Sequence, residues 1–268
     1  MLGVSDLLTA TRPTPTADSG VFTLEVLPGW NQGRGAFGGL VLGALTRAIE
    51  ACEPEKERVL RSLTGELAGP VVTGAAKIAI ETVRRGSGVS TFRASLAQNG
   101  ELLAVATAVL GKTRISDRRW SPAPPVMRPW RDVEPAPLGP PFTPDFSQFM
   151  EYRPTGPLPF TGDTEPIAEG WIRTRAPLPR IGAPEIVALA DAYWPAGFAI
   201  ETGPRPVGTV AFTLQYFPPQ SPLDPNEPLF YRARAIAAAD GYIVEHRELW
   251  TGNGDLVALN PQTFVWIR

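Results

Sequence analysis

The 268-residue sequence predicts an α+β protein whose second half repeats the order of elements in its first half. Three observations support this. A glycine-rich loop opens an apolar helix, long strand patterns follow the helix, and a proline-rich stretch separates two copies of this arrangement. One helix followed by several long antiparallel strands favours a sheet that curls around the helix.

The first helix follows the stretch Gly33–Gly39 and runs as an apolar segment to about Cys52. A helix that is apolar on all sides is buried, and each glycine in it costs about 1 kcal/mol relative to alanine. Gly38, Gly39 and Gly43 therefore predict that another group approaches the helix backbone closely. The unpaired N–H groups of a helix start suit a polarised carbonyl or an anion. Alternatively, these glycines only allow tight packing against a sheet.

The other elements of the first half are strands. Val21–Leu27 alternates apolar and polar residues, as a strand with one buried face does. The later strand patterns are Val59–Leu67, Ala75–Val83, Val89–Ala97 and Glu101–Leu110. Asn99-Gly100 separates the last two patterns and is a strong hairpin signal.

A proline-rich connector follows the first half. Dense proline is typical of extended linkers, because proline cannot donate a hydrogen bond to a sheet. Aromatic residues are embedded in this stretch, and they indicate that it packs over the protein surface: Trp130, Phe142, Phe146, Phe149 and Tyr152. A proline-rich ligand for another domain is the alternative.

The second half repeats the pattern. Its predicted elements are a strand at Glu169–Ala176, a helix at Pro184–Trp194, a strand at Val207–Phe217 and a hairpin turn at Asn253-Gly254. We therefore expect an N-terminal repeat over residues 1–115, a connector over 116–164 and a C-terminal repeat over 165–268.

Composition excludes several classes of function. A formal charge of −2 without a basic cluster gives no indication of nucleic-acid binding. The chain has no apolar run long enough to span a bilayer and no signal-peptide pattern after Met1, so we expect a cytoplasmic protein. Cys52 and His246 are the sole cysteine and histidine. We therefore expect no disulfide, no metal site and no cofactor.

The Phe37-Gly38-Gly39 helix start, the duplication and the last strand resemble the double-hotdog acyl-CoA thioesterases of the bacterial thioesterase II type. The resemblance extends from about Phe22 to Arg268, except for the connector. It implies a double hotdog, in which an antiparallel sheet wraps around a long helix in each repeat. It also implies an acyl-CoA substrate, a role in fatty acid metabolism and a homo-oligomer of double hotdogs.

The resemblance implies three catalytic residues, Asp191, Thr209 and Gln262, and substrate-binding residues at Phe37, Gly38 and Gly39. The chemistry of the first three fits this role. Burial in its apolar helix would raise the pKa of Asp191 towards that of a useful general base. Thr209 and Gln262 could hydrogen-bond a water molecule or this carboxylate. Ordinary structural roles, as a surface aspartate and as strand residues, stay open for all three.

The expected mechanism places the thioester carbonyl on backbone N–H groups near Gly38 and Gly39, with Asp191 acting as base towards water. The second helix begins with Pro184-Glu185, which offers no N–H at the proline and adds a negative charge. We therefore expect one active site per chain, at the junction of the repeats.

Three positions depart from the family pattern. Leu40 occupies a position where glutamine is common, and Ala211-Phe212 occupy positions where an Asp-His pair is common. A Ser-His-Asp hydrolase is disfavoured because His246 is the sole histidine and no Gly-x-Ser-x-Gly motif is present. A non-catalytic acyl-CoA or acyl-group binding protein on the same fold is the alternative function.

Overall fold

The computed structural model describes residues 6–118, 120–141 and 143–267. The helices are α1 (Leu7–Ala10), α2 (Gly38–Cys52) and α3 (Ala183–Asp191). The strands are β1 (Thr14–Pro15), β2 (Val21–Val26), β3 (Asn31–Gln32), β4 (Gly35–Ala36), β5 (Val59–Leu67), β6 (Gly74–Arg85), β7 (Val89–Gln98), β8 (Glu101–Gly111), β9 (Met150–Pro154), β10 (Ile167–Thr174), β11 (Val207–Tyr216), β12 (Leu229–Ala239), β13 (Tyr242–Trp250) and β14 (Leu256–Trp266).

Two expectations fall outside the described residues. One is the expected absence of a signal peptide, which concerns the segment that begins at Met1. The other is the expected packing of Phe142, one of the connector aromatics. Among the helices that the structure describes, none is both long and apolar enough to cross a membrane.

In the part of the chain that the structure describes, twelve strands form one antiparallel sheet, and β3 and β4 form a separate small hairpin. Next to the edge strand β1, the first half has the order β2-β6-β7-β8-β5 towards the centre of the sheet. The second half has the matching order β10-β12-β13-β14-β11, and β5 pairs with β11 where the halves meet. The predicted α+β class and the repeated order of elements are therefore present.

The helix α2 lies in the core, as its apolar sequence predicts, and every residue from Gly38 to Thr46 is buried. Its glycines allow close contact with α3. A Cβ atom at Gly39 would lie 2.7 Å from the carbonyl oxygen of Ala188, and one at Gly43 would lie 3.0 Å from that of Pro184. The close approach to the α2 backbone is therefore made by a second helix, which runs antiparallel to α2.

The structure corrects the description of the connector as a surface segment. Its segment Met150–Pro154 forms β9, which pairs with β10 and provides one edge of the sheet. Phe146, Met150 and Tyr152 are buried in the main core. Met150 and Tyr152 point inward at alternate positions of a five-residue strand, and the surrounding prolines obscure so short a pattern. The helix predicted to reach Trp194 ends at Asp191.

A polar cluster joins the two helices at the end distant from the predicted site. Arg47 of α2 forms an ion pair with the buried Glu185 of α3, and its Nη2 donates to Thr11 Oγ1 at 3.2 Å. Glu185 also accepts a hydrogen bond from the Gly182 N–H at 2.8 Å, which caps α3. Burial, together with the nearby negative charge of Glu185, raises the pKa of Glu50 to about 7.

This shift predicts a pH-dependent gain in stability for Glu50→Gln. Between the ordinary pKa of about 4.5 and the folded value of about 7, the unfolded chain ionises while the folded chain stays protonated. Wild-type stability therefore falls as pH rises through this window, and the cost persists above it. We expect Glu50→Gln to raise the melting temperature at pH 8 relative to wild type, and to change it little at pH 4.

The control for this prediction is Glu101→Gln, which removes an exposed carboxylate at the start of β8. Thermal unfolding followed by circular dichroism at both pH values compares the three proteins. An equal shift of the Glu50 variant at pH 4 and pH 8 would contradict the assigned cause.

Candidate active site

The three predicted catalytic side chains form one connected network. Gln262 Nε2 donates to Asp191 Oδ1 at 3.1 Å, and Thr209 Oγ1 donates to Gln262 Oε1 at 3.5 Å. The backbone N–H of Gly39 donates to Asp191 Oδ2 at 2.7 Å. The network joins the start of α2, the end of α3 and the strands β11 and β14, so it draws on both halves of the chain.

Local structure explains each of these positions. Asp191 is the last residue of α3, and the antiparallel contact brings it to the start of α2. A carboxylate is favourable there because the helix start has unpaired N–H groups and a partial positive charge. Thr209 lies at an irregularity in the pairing of β11 with β14, where the register shifts between Thr209 and Ala211. Such bulges redirect side chains and are common next to active sites.

A buried arginine behind Asp191 is the main residue that sequence reasoning missed. Arg247 Nη1 lies 3.6 Å from Asp191 Oδ1 and donates to the carbonyl oxygen of Ala190 at 3.0 Å. Its Nε donates to Glu245 Oε1 at 2.6 Å, and Glu245 accepts from the Ala196 N–H at 2.8 Å. Both side chains are fully enclosed.

The alternation of core-facing and exposed residues along β13 is the sequence feature that indicates this buried pair. Ile243, Glu245, Arg247 and Leu249 occupy alternate positions and all face the core, whereas His246 is exposed on the other face. Two charged residues in line with two large apolar residues indicate a buried ion pair.

The amide of Gln262 is held by a further residue, Asn260. Gln262 Nε2 also donates to Asn260 Oδ1 at 2.7 Å, and Asn260 Nδ2 donates to the carbonyl oxygen of Thr213 at 2.6 Å. The Gln262 amide therefore donates from its nitrogen to Asp191 and Asn260, and its oxygen accepts from Thr209. This fixes the orientation in which it meets the carboxylate.

Burial raises the pKa of Asp191, because an ionised carboxylate loses hydration in the core. The positive charge of Arg247 and the hydrogen bonds from Gln262 and Gly39 oppose this rise, and Glu245 adds to it. The result is a carboxylate that is desolvated, firmly held and less acidic than an ordinary aspartate. These are properties that suit a general base.

Asp191 opens onto a cavity of about 950 Å³. Gly38, Thr209 and Asp191 are part of its wall, whereas Gln262 and Arg247 lie behind it. Much of the remaining wall is aromatic: Phe146, Tyr152, Phe160, Tyr193, Trp194 and Phe198. The size and the apolar lining with few polar groups are typical of a small-molecule site.

The three predicted substrate-binding residues, Phe37, Gly38 and Gly39, differ in their position relative to the cavity. Phe37 is fully buried and is not part of the cavity wall; its ring stacks on Phe146 at 4.2 Å and lies 6.1 Å from the ring of Trp30. Phe146 does line the cavity. Gly38 is part of the wall, and no atom of the described residues accepts its N–H. The Gly39 N–H, in contrast, is bonded to Asp191.

The positions that depart from the family pattern lie away from the cavity wall. Leu40 and Phe212 are fully buried, and Ala211 lies opposite Glu66 in the pairing of β11 with β5. The apolar replacements therefore belong to the packing around the site and not to its lining.

Family models match most of the chain. The model of the acyl-CoA thioesterase N-terminal domain matches residues 26–111, and that of the acyl-CoA thioesterase C-terminal domain matches residues 122–266. The chain belongs to the acyl-CoA thioesterase family. No curated protein matches the sequence.

Solved structures agree with the hotdog fold of this acyl-CoA thioesterase family member. A conserved hot dog fold protein of unknown function from Alicyclobacillus acidocaldarius has 25% identity and a TM-score of 0.86, with 98% of each chain covered. A putative thioesterase II from Thermobifida fusca has 21% identity and a TM-score of 0.83 over 100% of both chains. An acyl-CoA thioesterase II from Mycobacterium marinum has 18% identity and a TM-score of 0.78, covering 97% of this chain and 98% of its own.

The buried charges predict a large effect of Arg247→Leu on stability. Removal of one partner leaves the carboxylates of Glu245 and Asp191 buried without a cation, so we expect a loss of about 3–5 kcal/mol in the free energy of unfolding. The double variant Arg247→Leu/Glu245→Leu removes one of these charges and is expected to be more stable than the single variant. Denaturant unfolding measures both.

The matched control is Arg234→Leu on β12, which breaks an exposed ion pair between Arg234 and Glu165. We expect this change to cost less than about 1 kcal/mol. The double variant could instead lose as much free energy of unfolding as Arg247→Leu and Glu245→Leu lose together. That result would contradict coupling between the two buried side chains.

Proposed function

We propose that this protein hydrolyses acyl-CoA thioesters to a free acid and CoA, with a water molecule activated by Asp191. The observation that carries the proposal is the position of one carboxylate: it is buried, held by donors on one side and open to an apolar cavity on the other. Membership of the acyl-CoA thioesterase family supports the substrate class.

In the proposed reaction, the oxygen of the water attacks the carbonyl carbon while Asp191 takes one of its protons. The C–O bond forms as the carbonyl π electrons move onto oxygen. Collapse of this tetrahedral intermediate breaks the C–S bond, and the thiolate of CoA leaves with the proton that Asp191 received. The products are a carboxylic acid and a thiol, so no covalent enzyme intermediate is required.

Gln262 and Thr209 orient the base and the water. The Gln262 amide fixes the rotation of the Asp191 carboxylate through Oδ1. Thr209 reaches both this network and the cavity, so its hydroxyl can hold the water on the side of the carboxylate. Arg247 and Asn260 act as positioning residues, because they contact Asp191 and Gln262 from behind the wall.

The start of α2 stabilises the negative charge that develops on the carbonyl oxygen. The Gly38 N–H lines the cavity without a partner among the described residues, and a Cβ atom at Gly38 would lie 2.9 Å from Asp191 Oδ2. The carbonyl donor and the base are therefore neighbours. Because Gly39 donates to Asp191, we assign Gly38 to the carbonyl and Gly39 to the base, which refines the expectation from sequence.

We also infer one site per chain and two hotdog repeats, each with a buried helix and its own part of the sheet; the helix of the second repeat, α3, is shorter than expected, with nine residues. The matching strand order of the halves supports the repeats. The start of α3 is occupied by its own Glu185 cap and by the ion pair with Arg47, which supports a single site. The domain limits, the cytoplasmic location, a role in fatty acid metabolism and the homo-oligomer stay predictions.

The variant Asp191→Asn tests the proposed base. The amide keeps the size of the side chain but cannot take a proton from water, so we expect kcat to fall about 10²-fold or more. The measurement is release of CoA thiol over a panel of acyl-CoA chain lengths, with circular dichroism to check that the variant is folded.

Asp255→Asn is the matched control, since Asp255 is exposed in the turn before β14 and lies outside the cavity wall. Near-wild-type turnover by folded Asp191→Asn would reject the assignment. A wild-type protein that binds acyl-CoA without any thiol release would favour the non-catalytic binding protein instead.

A further inference from the structure

We propose that Arg34 and Arg205, on the mouth of the cavity, bind phosphate groups on the pantetheine arm of the thioester substrate. The inference rests on the proposed function and extends it to the half of the substrate that does not react. The shared ligand chemistry is a phosphorylated pantetheine thioester, which occurs in CoA and on phosphopantetheinylated carrier proteins.

Charge is distributed unequally along the cavity. Of the described residues that form its wall, Arg34, Arg205 and Asp191 are the charged ones. Asp191 is buried at the inner end, whereas both arginines are exposed. The exposed part of the wall therefore carries two arginines, of which Arg205 also pairs with Glu201, in a protein whose formal net charge is −2. A positive rim around an otherwise apolar opening favours an anionic group on the ligand.

Arg34 is held at the tip of a tight hairpin from the first half. Gln32 pairs with Gly35 across the turn, and Gly33 has a φ of +66°, a backbone conformation that favours glycine. The Ala36 N–H donates to the carbonyl oxygen of Val71 at 2.7 Å, which ties the hairpin to the body of the protein. Among the described residues, no carboxylate forms an ion pair with Arg34, so its charge is available to a ligand.

Arg205 is held on the opposite half of the chain. It lies between Pro204 and Pro206, which restrict the backbone on both sides. Its guanidinium group lies over the ring of Trp266, 4.5 Å from the centroid, and its Nη1 lies 3.3 Å from Glu201 Oε1. Stacking holds the plane of the guanidinium while the N–H groups not used by Glu201 stay free, an arrangement suited to the fork-like recognition of phosphate.

The order of groups along the substrate fits this division. The pantetheine arm separates the thioester from the phosphate groups, so the thioester can reach the buried Asp191 while the phosphates stay at the solvent-exposed mouth. Phosphates would not lose their hydration in the apolar interior, where an unpaired charge is costly. The two arginines come from different halves, so both halves contribute to the mouth as they do to the catalytic network.

The test compares three thioesters that carry the same acyl group: acyl-pantetheine, acyl-4′-phosphopantetheine and acyl-CoA. We expect Arg34→Ala and Arg205→Ala each to lower kcat/KM for acyl-CoA about 5- to 10-fold, mainly through KM, because a charge-assisted hydrogen bond to phosphate is lost. The same variants are expected to treat acyl-pantetheine as the wild type does, since it carries no phosphate.

If a variant loses as much kcat/KM with acyl-4′-phosphopantetheine as with acyl-CoA, the arginine binds the phosphate that CoA shares with carrier proteins. A loss seen with acyl-CoA alone supports binding of the phosphates at the adenosine end. Arg93→Ala is the matched control, because Arg93 is an exposed arginine on β7 outside the cavity wall.

Equal losses on all three thioesters, or no loss on any of them, would overturn the assignment of the arginines while leaving the hydrolytic function standing. A wild-type protein that is inactive on all three thioesters would overturn the proposed function itself, together with the inference that rests on it.

Discussion

The hydrogen bond from the Gly39 N–H to the Asp191 carboxylate, 2.7 Å long, is the contact on which the site depends. It exists because α2 and α3 approach so closely that a Cβ atom at Gly39 would lie 2.7 Å from the Ala188 carbonyl oxygen. Glycine at this position is therefore required by packing as well as by chemistry. Since each helix comes from a different half, neither half alone would contain the site.

A buried carboxylate has to be stabilised, and this explains the polar residues inside an apolar core. The positive charge of Arg247 compensates the negative charges of Asp191 and Glu245. Gln262 donates a hydrogen bond to Asp191 and another to Asn260. Burial raises the pKa of Asp191 while these contacts limit the rise. The same network that offsets the cost of burial also fixes the geometry of the carboxylate, so stability and the proposed catalysis depend on the same residues.

The sequence predicted the elements with strong periodicity or clear turns: α2, the strand Val59–Leu67 and the hairpin at Asn99-Gly100 agree with the structure. The catalytic set came from a family resemblance, because contacts between residues far apart in the chain leave no periodic signal. The strand β9 was missed because it is short and lies among prolines. Arg247 was missed because a charged residue on an alternating strand is usually exposed, and its burial depends on Asp191, which is far away in the sequence.

A crystal structure with a non-hydrolysable acyl-CoA analogue would show directly which groups contact the thioester carbonyl. We expect one analogue per chain, with its carbonyl oxygen about 3 Å from the Gly38 nitrogen and an ordered water between Asp191 and the carbonyl carbon. A carbonyl placed at the Pro184 end of α3, or two equivalent analogues per chain, would contradict this expectation.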